Sequence, residues 1–416
     1  NMTKTHLRPI VAAVVAVLAG SVAAACSQQS SSPRTSDAPA DPVTLSLATS
    51  LQNAQGTWAV VPMGHLDQTL NTFWQLFFEP PGGTTWSNEV DATAVATNGG
   101  LTLASGSDGS VIVGIRPSNL LRYSPLIATT DAGGTWANGV LPYGLSAYPD
   151  SLAASSEQQA AALVEAPRGD QVLESLGTLG SWNPLVDERA LAATPAGSVC
   201  GLRAITAIAY LAGTPFIGGS CDRPGEVGIL ARRSGSWQLT TPFLNTKGSG
   251  LGGDEFEVLA LRPTGDGLSA LFAGYGGGSD GKSDKGVILL GAWTSDGHKW
   301  TTSPPLQLLP QERLASFGPA NGSNVFVLTS AGSSEGTGSG SVPAPERLEV
   351  LAPGENWVQL TTPPAGTATV AFSSDSKVDA LAVDQSILSV WSLTPDSHDW
   401  TRAQVIRVPI QYGSSS

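Results

Sequence analysis

The chain has 416 residues, 13% of them charged and 41% hydrophobic, with 48 Gly and 29 Pro. This mix argues against a disordered chain, which is poor in apolar residues and rich in charge, and against long amphipathic helices. The formal net charge of −13 argues against a nucleic-acid binder and against attachment to anionic lipid through a basic patch, since both need a cationic face.

In chain order the first element is an export signal. Lys4 and Arg8 precede an apolar run from Ile10 to Leu18, followed by small residues up to Ala25 and then Cys26. This is the layout of a secretory leader, too short for a membrane span. No other apolar run reaches the length of a span. Small residues ending in a Cys resemble the bacterial lipobox, with Ala23 where Leu is usual. The resemblance implies cleavage after Ala25 and lipidation of the Cys26 sulfur, anchoring the protein to the outer face of the cell membrane. Loss of Lys4 and Arg8 leaves 19 basic residues against 34 acidic ones. Residues 26–51, rich in Ser, Pro, Ala and Thr, then read as the lipidated Cys and a flexible tether.

From residue 52 to 416 the sequence repeats. Trp86, Trp136, Trp182, Trp237, Trp300, Trp357 and Trp400 each follow a turn of small or polar residues, at spacings of 43 to 63 residues. Apolar strands precede these turns, as in Leu126-Ile127-Ala128 and Val287-Ile288-Leu289-Leu290. Short polar strands often follow, as in Gln238 to Thr241 before Pro242. Further strand-like runs lie upstream, such as Ala92 to Ala96 and Val111 to Ile115 before Trp136, and Val258 to Leu261 and Leu268 to Phe272 before Trp300. Four strands per period of about 50 residues predict an all-β fold, a β-propeller of four-stranded blades, with seven turns pointing to seven blades. The first unit looks short, and Val405 to Ile410 is a candidate for completing the ring. The aromatic run Phe73 to Phe78 reads as packing between blades.

The clearest turn is Thr129-Thr130-Asp131-Ala132-Gly133-Gly134-Thr135-Trp136. It resembles the Asp-box of sialidase-type propellers, Ser/Thr-x-Asp-x-Gly-x-Thr-Trp. Shorter copies carry Asp296 with Trp300, and Asp396 with Trp400. An Asp in such a turn accepts local backbone N–H groups, and a Gly admits a positive φ. The resemblance implies a structural hairpin at the periphery, away from a central ligand site.

With Cys26 lipidated, Cys200 and Cys221 remain. They flank a strand, the turn Ala212 to Pro215 and a second strand, so a hairpin brings them together as a disulfide.

Catalytic and metal-binding patterns are sparse. The sialidase arginine motif is matched only by Gly114-Ile115-Arg116-Pro117. Gly277-Gly278-Ser279-Asp280-Gly281 fits Gly-x-Ser-x-Gly but lies in a polar loop, without the strand and helix a nucleophile elbow needs. Ser330 to Glu346 reads as another long loop. Asp254, Glu255 and Glu257 cluster before a strand. Beyond the leader the His residues are His65, His298 and His398, two of them in Trp turns, so neither a metal nor a cofactor is expected. The sequence supports a surface lipoprotein whose propeller is a binding or scaffold module for a protein or glycan. A sialidase-like glycoside hydrolase and an assembly factor for a membrane complex are the alternatives. The ligand-binding residues are not legible.

Overall fold

The computed structural model describes residues 43–68, 71–89, 97–116, 121–242, 244, 255–275, 286–332 and 340–409. Cys26, the leader, Ala92–Ala96, Asp254 and Gly277–Gly281 lie outside these residues.

Among the described residues, strands group into seven four-stranded antiparallel meanders. The first is β1 (Val43–Asn53), β2 (Gly56–Gly64), β3 (Thr72–Glu79) and β4 (Ser87–Asn88). The second is β5 (Leu101–Ser105), β6 (Val111–Ile115), β7 (Ser124–Thr129) and β8 (Ala137–Leu141). A short strand, β9 (Gly144–Leu145), leads into the third, made of β10 (Leu152–Ser156), β11 (Gln159–Ala166), β12 (Gly169–Leu176) and β13 (Asn183–Asp187). The fourth is β14 (Leu202–Leu211), β15 (Thr214–Cys221), β16 (Val227–Arg233) and β17 (Ser236–Leu239). The fifth is β18 (Glu255–Thr264), β19 (Gly267–Tyr275), β20 (Val287–Thr294) and β21 (Thr301–Thr302), with β22 (Leu306–Gln307) added beside β20. The sixth is β23 (Glu312–Pro319), β24 (Val325–Ala331), β25 (Pro345–Leu351) and β26 (Val358–Leu360). The seventh is β27 (Thr367–Phe372), β28 (Val378–Asp384), β29 (Ile387–Leu393) and β30 (Thr401–Arg407).

The fold is a β-propeller, and its apolar layers show how the ring closes. The second and third meanders share one buried layer, the third and fourth another, and so on through the sixth and seventh. One further layer joins the seventh, first and second, with Leu381 and Val390 packed in the same cluster as Trp58, Phe77 and Val113. Each sheet is therefore covered on both faces, which is why its strands read as apolar runs and not as alternating patterns. In β3, Phe73 to Phe78 are buried without a break, as the aromatic run predicts.

The Trp turns hold the layers together. Every one of the seven sits between the third and fourth strand of a meander or at the start of the fourth. Several Trp donate their indole N–H backwards. Trp300 reaches Thr240 Oγ1 at 3.5 Å, Trp357 reaches Pro304 O at 2.9 Å and Trp400 reaches Thr361 O at 3.2 Å. Trp86 of the first blade donates to Asp379 Oδ2 of the last at 2.9 Å, so the same staple crosses the closure.

Two features depart from the sequence reading. The strand β1 takes in residues 43–51, assigned above to the tether, so the propeller begins earlier than residue 52. The second half of β1 pairs with β2, while its first half pairs in parallel with β23 (Val43↔Leu314, Ala48↔Ser316). The first blade is therefore complete within its own stretch of chain. Val405 and Ile406 belong to β30, the outer strand of the seventh meander, Ile410 lies outside the described residues, and among the described strands no blade mixes the two ends of the chain.

The second departure is helical. Between β13 and β14 lie α1 (Glu188–Ala193) and α2 (Pro195–Cys200). Their caps are local: Asp187 accepts from Ala190 N, Thr194 accepts from Gly197 N, Pro195 opens α2, and Gly201 closes it at φ 69°. The end of α2 delivers Cys200 to Cys221, and the two form a disulfide with Cα atoms 5.4 Å apart. The bond closes a loop with a sequence separation of 21. Cys221→Ser should lower the unfolding free energy by about 3 kcal/mol on the chain-entropy account. Denaturant midpoints with and without reductant measure this; an unchanged midpoint would show that the bond contributes nothing.

Candidate functional site

The first strands of the meanders line the middle of the ring. At the end where they turn into the second strands lies a cavity of about 640 Å³. Its wall comes from consecutive blades: Gln52 and Asn53, then Ser105 and Ser107, Ser155, Leu211, and Asp266. A site shared among loops of several blades on a rigid ring is where propellers can vary chemistry without disturbing the fold.

The floor is a buried ionic network. Asp150, just ahead of β10, accepts from Arg262 Nε at 2.9 Å and from Leu261 N at 2.8 Å, and lies 2.9 Å from Arg262 Nη2. Nη1 of Arg262 donates to Phe317 O at 2.6 Å and to the Thr49 hydroxyl. The guanidinium also lies over the Phe317 ring, 5.0 Å from its centre. Ile208 N donates to Asp150 O at 3.0 Å. One carboxylate and one guanidinium thus tie four blades together, and the Asp150 carbonyl adds the fourth meander through Ile208. Burial raises the Asp150 carboxyl, opposed by the charge and donors of Arg262.

Arg116, the residue nearest the sialidase motif, is buried behind this floor. It donates to Ser146 O at 3.0 Å, to Ser151 Oγ at 3.3 Å and to the Tyr148 carbonyl. Burial lowers its pKa to about 10. Its donors serve the connection between the second and third blades, so it does not form part of an arginine clamp.

The Asp131 turn joins β7 to β8. Thr135 donates to Asp131 from its N–H and its hydroxyl, both at 2.8 Å, and the Thr129 hydroxyl donates at 2.9 Å. These donors hold the carboxyl below the usual range. Gly133 N donates to Thr129 Oγ1 at 2.9 Å, with φ 84° at Gly133. Trp136 meets Trp58 of the first blade edge-on at 5.9 Å. The Asp296 turn repeats this arrangement. N–H groups of Lys299 and His298 donate at 2.9 and 2.7 Å and bring the carboxyl down to about 2. At Asp396 the turn is held differently, with Ser397 N donating to Thr394 O at 3.0 Å and Asp399 N to Ser397 Oγ at 3.1 Å.

These turns lie at the outer part of the blades, on the same face as the cavity. In a four-stranded meander the first and third turns share one end. The Asp131 turn is moreover wired to the rim. Gln55 pairs with Ala132 N and Thr130 O, and donates its own N–H to Asn53 Oδ1 at 2.9 Å.

The remaining candidates are dispersed. Glu255 pairs with Arg203 at 3.3 Å on an exposed surface, and Glu257 accepts from the Tyr275 hydroxyl at 3.0 Å. His298 lies 3.3 Å from Arg233 Nη1. Among the described residues no group of three or more His, Cys, Asp or Glu is placed to hold a metal. Sequence reasoning missed the floor itself. Its signal was present as isolated charges beside apolar runs: Asp150 before Leu152-Ala153-Ala154, and Arg262 after Val258 to Leu261.

No family model matches the sequence, and no curated protein matches it. Among solved structures, a xyloglucanase from Xanthomonas campestris is similar with a TM-score of 0.49 and 12% identity, over 83% of this chain and 51% of that one. The chain thus spans about half the length of that enzyme. The propeller domain of the Trilobed protease from Pyrococcus furiosus, described as having an open velcro topology, is similar with a TM-score of 0.46 and 9% identity, over 89% and 99%. TolB from Acinetobacter baumannii is similar with a TM-score of 0.36 and 8% identity, over 82% and 61%.

Proposed function

We propose that this protein is a binding module, a seven-bladed propeller held at the outer face of a bacterial membrane by a lipid on Cys26. The observation that supports binding is the blind cavity at the ring centre. Its only strongly acidic and basic groups at the floor are consumed by each other and by backbone, so they build the cup instead of facing a ligand. A volume of this size suits one side chain cluster or one small ligand moiety.

Two measurements test the reading. Purified protein incubated with fluorogenic sialosides, other glycosides, esters and phosphodiesters should show no turnover; turnover abolished by Asp266→Asn would replace the binding module with a hydrolase. Cys26→Ala should release the protein into the medium or leave its leader uncut. A variant that stays membrane-bound and correctly trimmed would remove the lipid anchor from the proposal.

A further inference from the structure

We infer that the cavity receives a cationic side chain, Lys or Arg, of a polypeptide partner, and that Asp266 is the charge it meets; this rests on the binding-module reading above. The argument starts from the polarity of the meanders. Their first turns lie on the face where the cavity opens, and the first six meanders supply its lining. The charged residues in those turns are Asp108, Glu157, Asp266, Asp375 and Lys377. The one cation is turned away from the mouth, its ammonium 2.7 Å from Glu79 Oε1 and 3.0 Å from Asp379 Oδ2, both buried. Arg262, the cation of the floor, has its donors spent on Asp150, Thr49 and Phe317. Of these acids Asp266 lines the cavity itself and the others stand on the surrounding face, and no free cation is among the described residues that line it.

The turn chemistry keeps that charge in place. Partial burial opposes ionisation of Asp108, but the Ser110 hydroxyl at 2.6 Å and Glu157 N at 3.1 Å more than offset it, and the carboxyl sits below its ordinary range. The Ser373 hydroxyl acts likewise on Asp375. The third turns, on the same face, add Asp131, Asp296, Glu355, Asp396 and Asp399. The cations on this face, Lys299, Arg232, Arg233 and Arg402, all sit on the outer strands or their turns. Arg233 is already bonded to Gly297 O and stacked over Phe216. On the opposite face the described second turns mix signs, with Arg122, Arg168 and Arg223 beside Asp67, Asp222 and Glu226. The field is thus directed at one face, and the cavity opens at its centre.

The lining matches a long basic side chain. Leu103, Leu211 and Pro263 offer apolar surface for a methylene stem, while the side chains of Asp266, Gln52 and Ser155 make no hydrogen bond among the described residues. An anionic polymer is repelled, and a neutral saccharide makes no use of the charge. A small amine would be served by the cavity alone. Acidic turns stand on the second, third, fifth, sixth and seventh meanders of this face, which fits an extended polypeptide bearing several cations.

The test uses a fluorescein-labelled, N-acetylated peptide, Gly-Ser-Lys-Gly-Lys-Ser-Gly, and analogues with Gln or Glu for Lys, titrated with the purified full-length protein. The Lys peptide should bind most tightly, weaken as salt rises, and lose about fivefold in affinity on Asp266→Asn, as expected for one solvent-accessible charge pair. Glu226→Gln, in a second turn on the opposite face, should leave affinity within about twofold, because screened charges beyond a Debye length contribute little. Equal binding of the Lys and Gln peptides, no effect of Asp266→Asn, or no binding of any peptide overturns the cationic ligand. Ser155→Trp, which fills the cavity, separates the two readings. If it abolishes binding of a neutral peptide, the cavity remains the site and only its ligand class is wrong. If it leaves all binding intact, the cavity is not the site and both fall.

Discussion

Replacing Asp150 with Ala should cost about 3–5 kcal/mol of stability, the range for breaking a buried ion pair by removing one partner. The carboxylate is 6% exposed and Arg262 is 14% exposed, so neither charge has water to fall back on. Without it, Arg262 keeps only Thr49 and Phe317 as partners, Leu261 N loses its acceptor, and buried Arg116 loses the nearby negative charge that favours its ionised form. Four blades meet at this pair of side chains, so the loss should appear as a fall in the thermal midpoint of the whole domain. The double variant Asp150→Ala, Arg262→Met should recover part of it, because an apolar side chain replaces the stranded cation. A single variant as stable as the parent would show that the floor is decoration.

Lys377→Met should have a comparable effect at the ring closure, again about 3–5 kcal/mol near neutral pH. Lys377 stands between Glu79 of the first blade and Asp379 of the last, each 2% exposed. Burial already raises the Glu79 carboxyl, and Lys377 is the main charge opposing that rise. Removing it pushes the Glu79 carboxyl further up. A carboxyl whose folded pKa is raised contributes its stability below the unfolded pKa and loses it as pH rises through the folded one. The deficit of the variant should therefore shrink as pH falls toward 4 and widen toward 7. Hydrogen exchange should show β1 to β4 opening first. A deficit independent of pH would mean that the loss is one of packing and not of charge.

Much of the fold was legible because its signals are local and repeated. The Trp turns marked the third-to-fourth strand connection in every meander, and unbroken apolar runs such as Phe73 to Phe78 announced sheets covered on both sides. The Cys pair could be placed because a single hairpin separates the two residues. What escaped the sequence was set by distance along the chain. Asp150 and Arg262 are 112 residues apart, and nothing local pairs them. Lys377 lies 298 residues from Glu79. The start of β1 looked like tether because Val43 to Thr49 carries few large apolar residues; its place is fixed by β23, far along the chain. The α1–α2 pair was missed because each is one to two turns long, too short for a helical period to show. The cavity is formed by turns of Gly, Ser, Asn and Asp, which in sequence look the same as turns that line nothing.

The described strands of each blade come from one unbroken stretch of chain. In evolutionary terms the ring is extensible. Duplicating or deleting one repeat of about 50 residues adds or removes a whole sheet without re-pairing any strand within a blade. A ring sealed by a sheet shared between both termini pays for each such change with a new composite seam. Here the seam is one backbone bond, Gly64 N to Gln385 O at 2.9 Å, with Lys377, Trp86 and the layer around Trp58, so a change in blade number has only to restore a few contacts on two facing sheets.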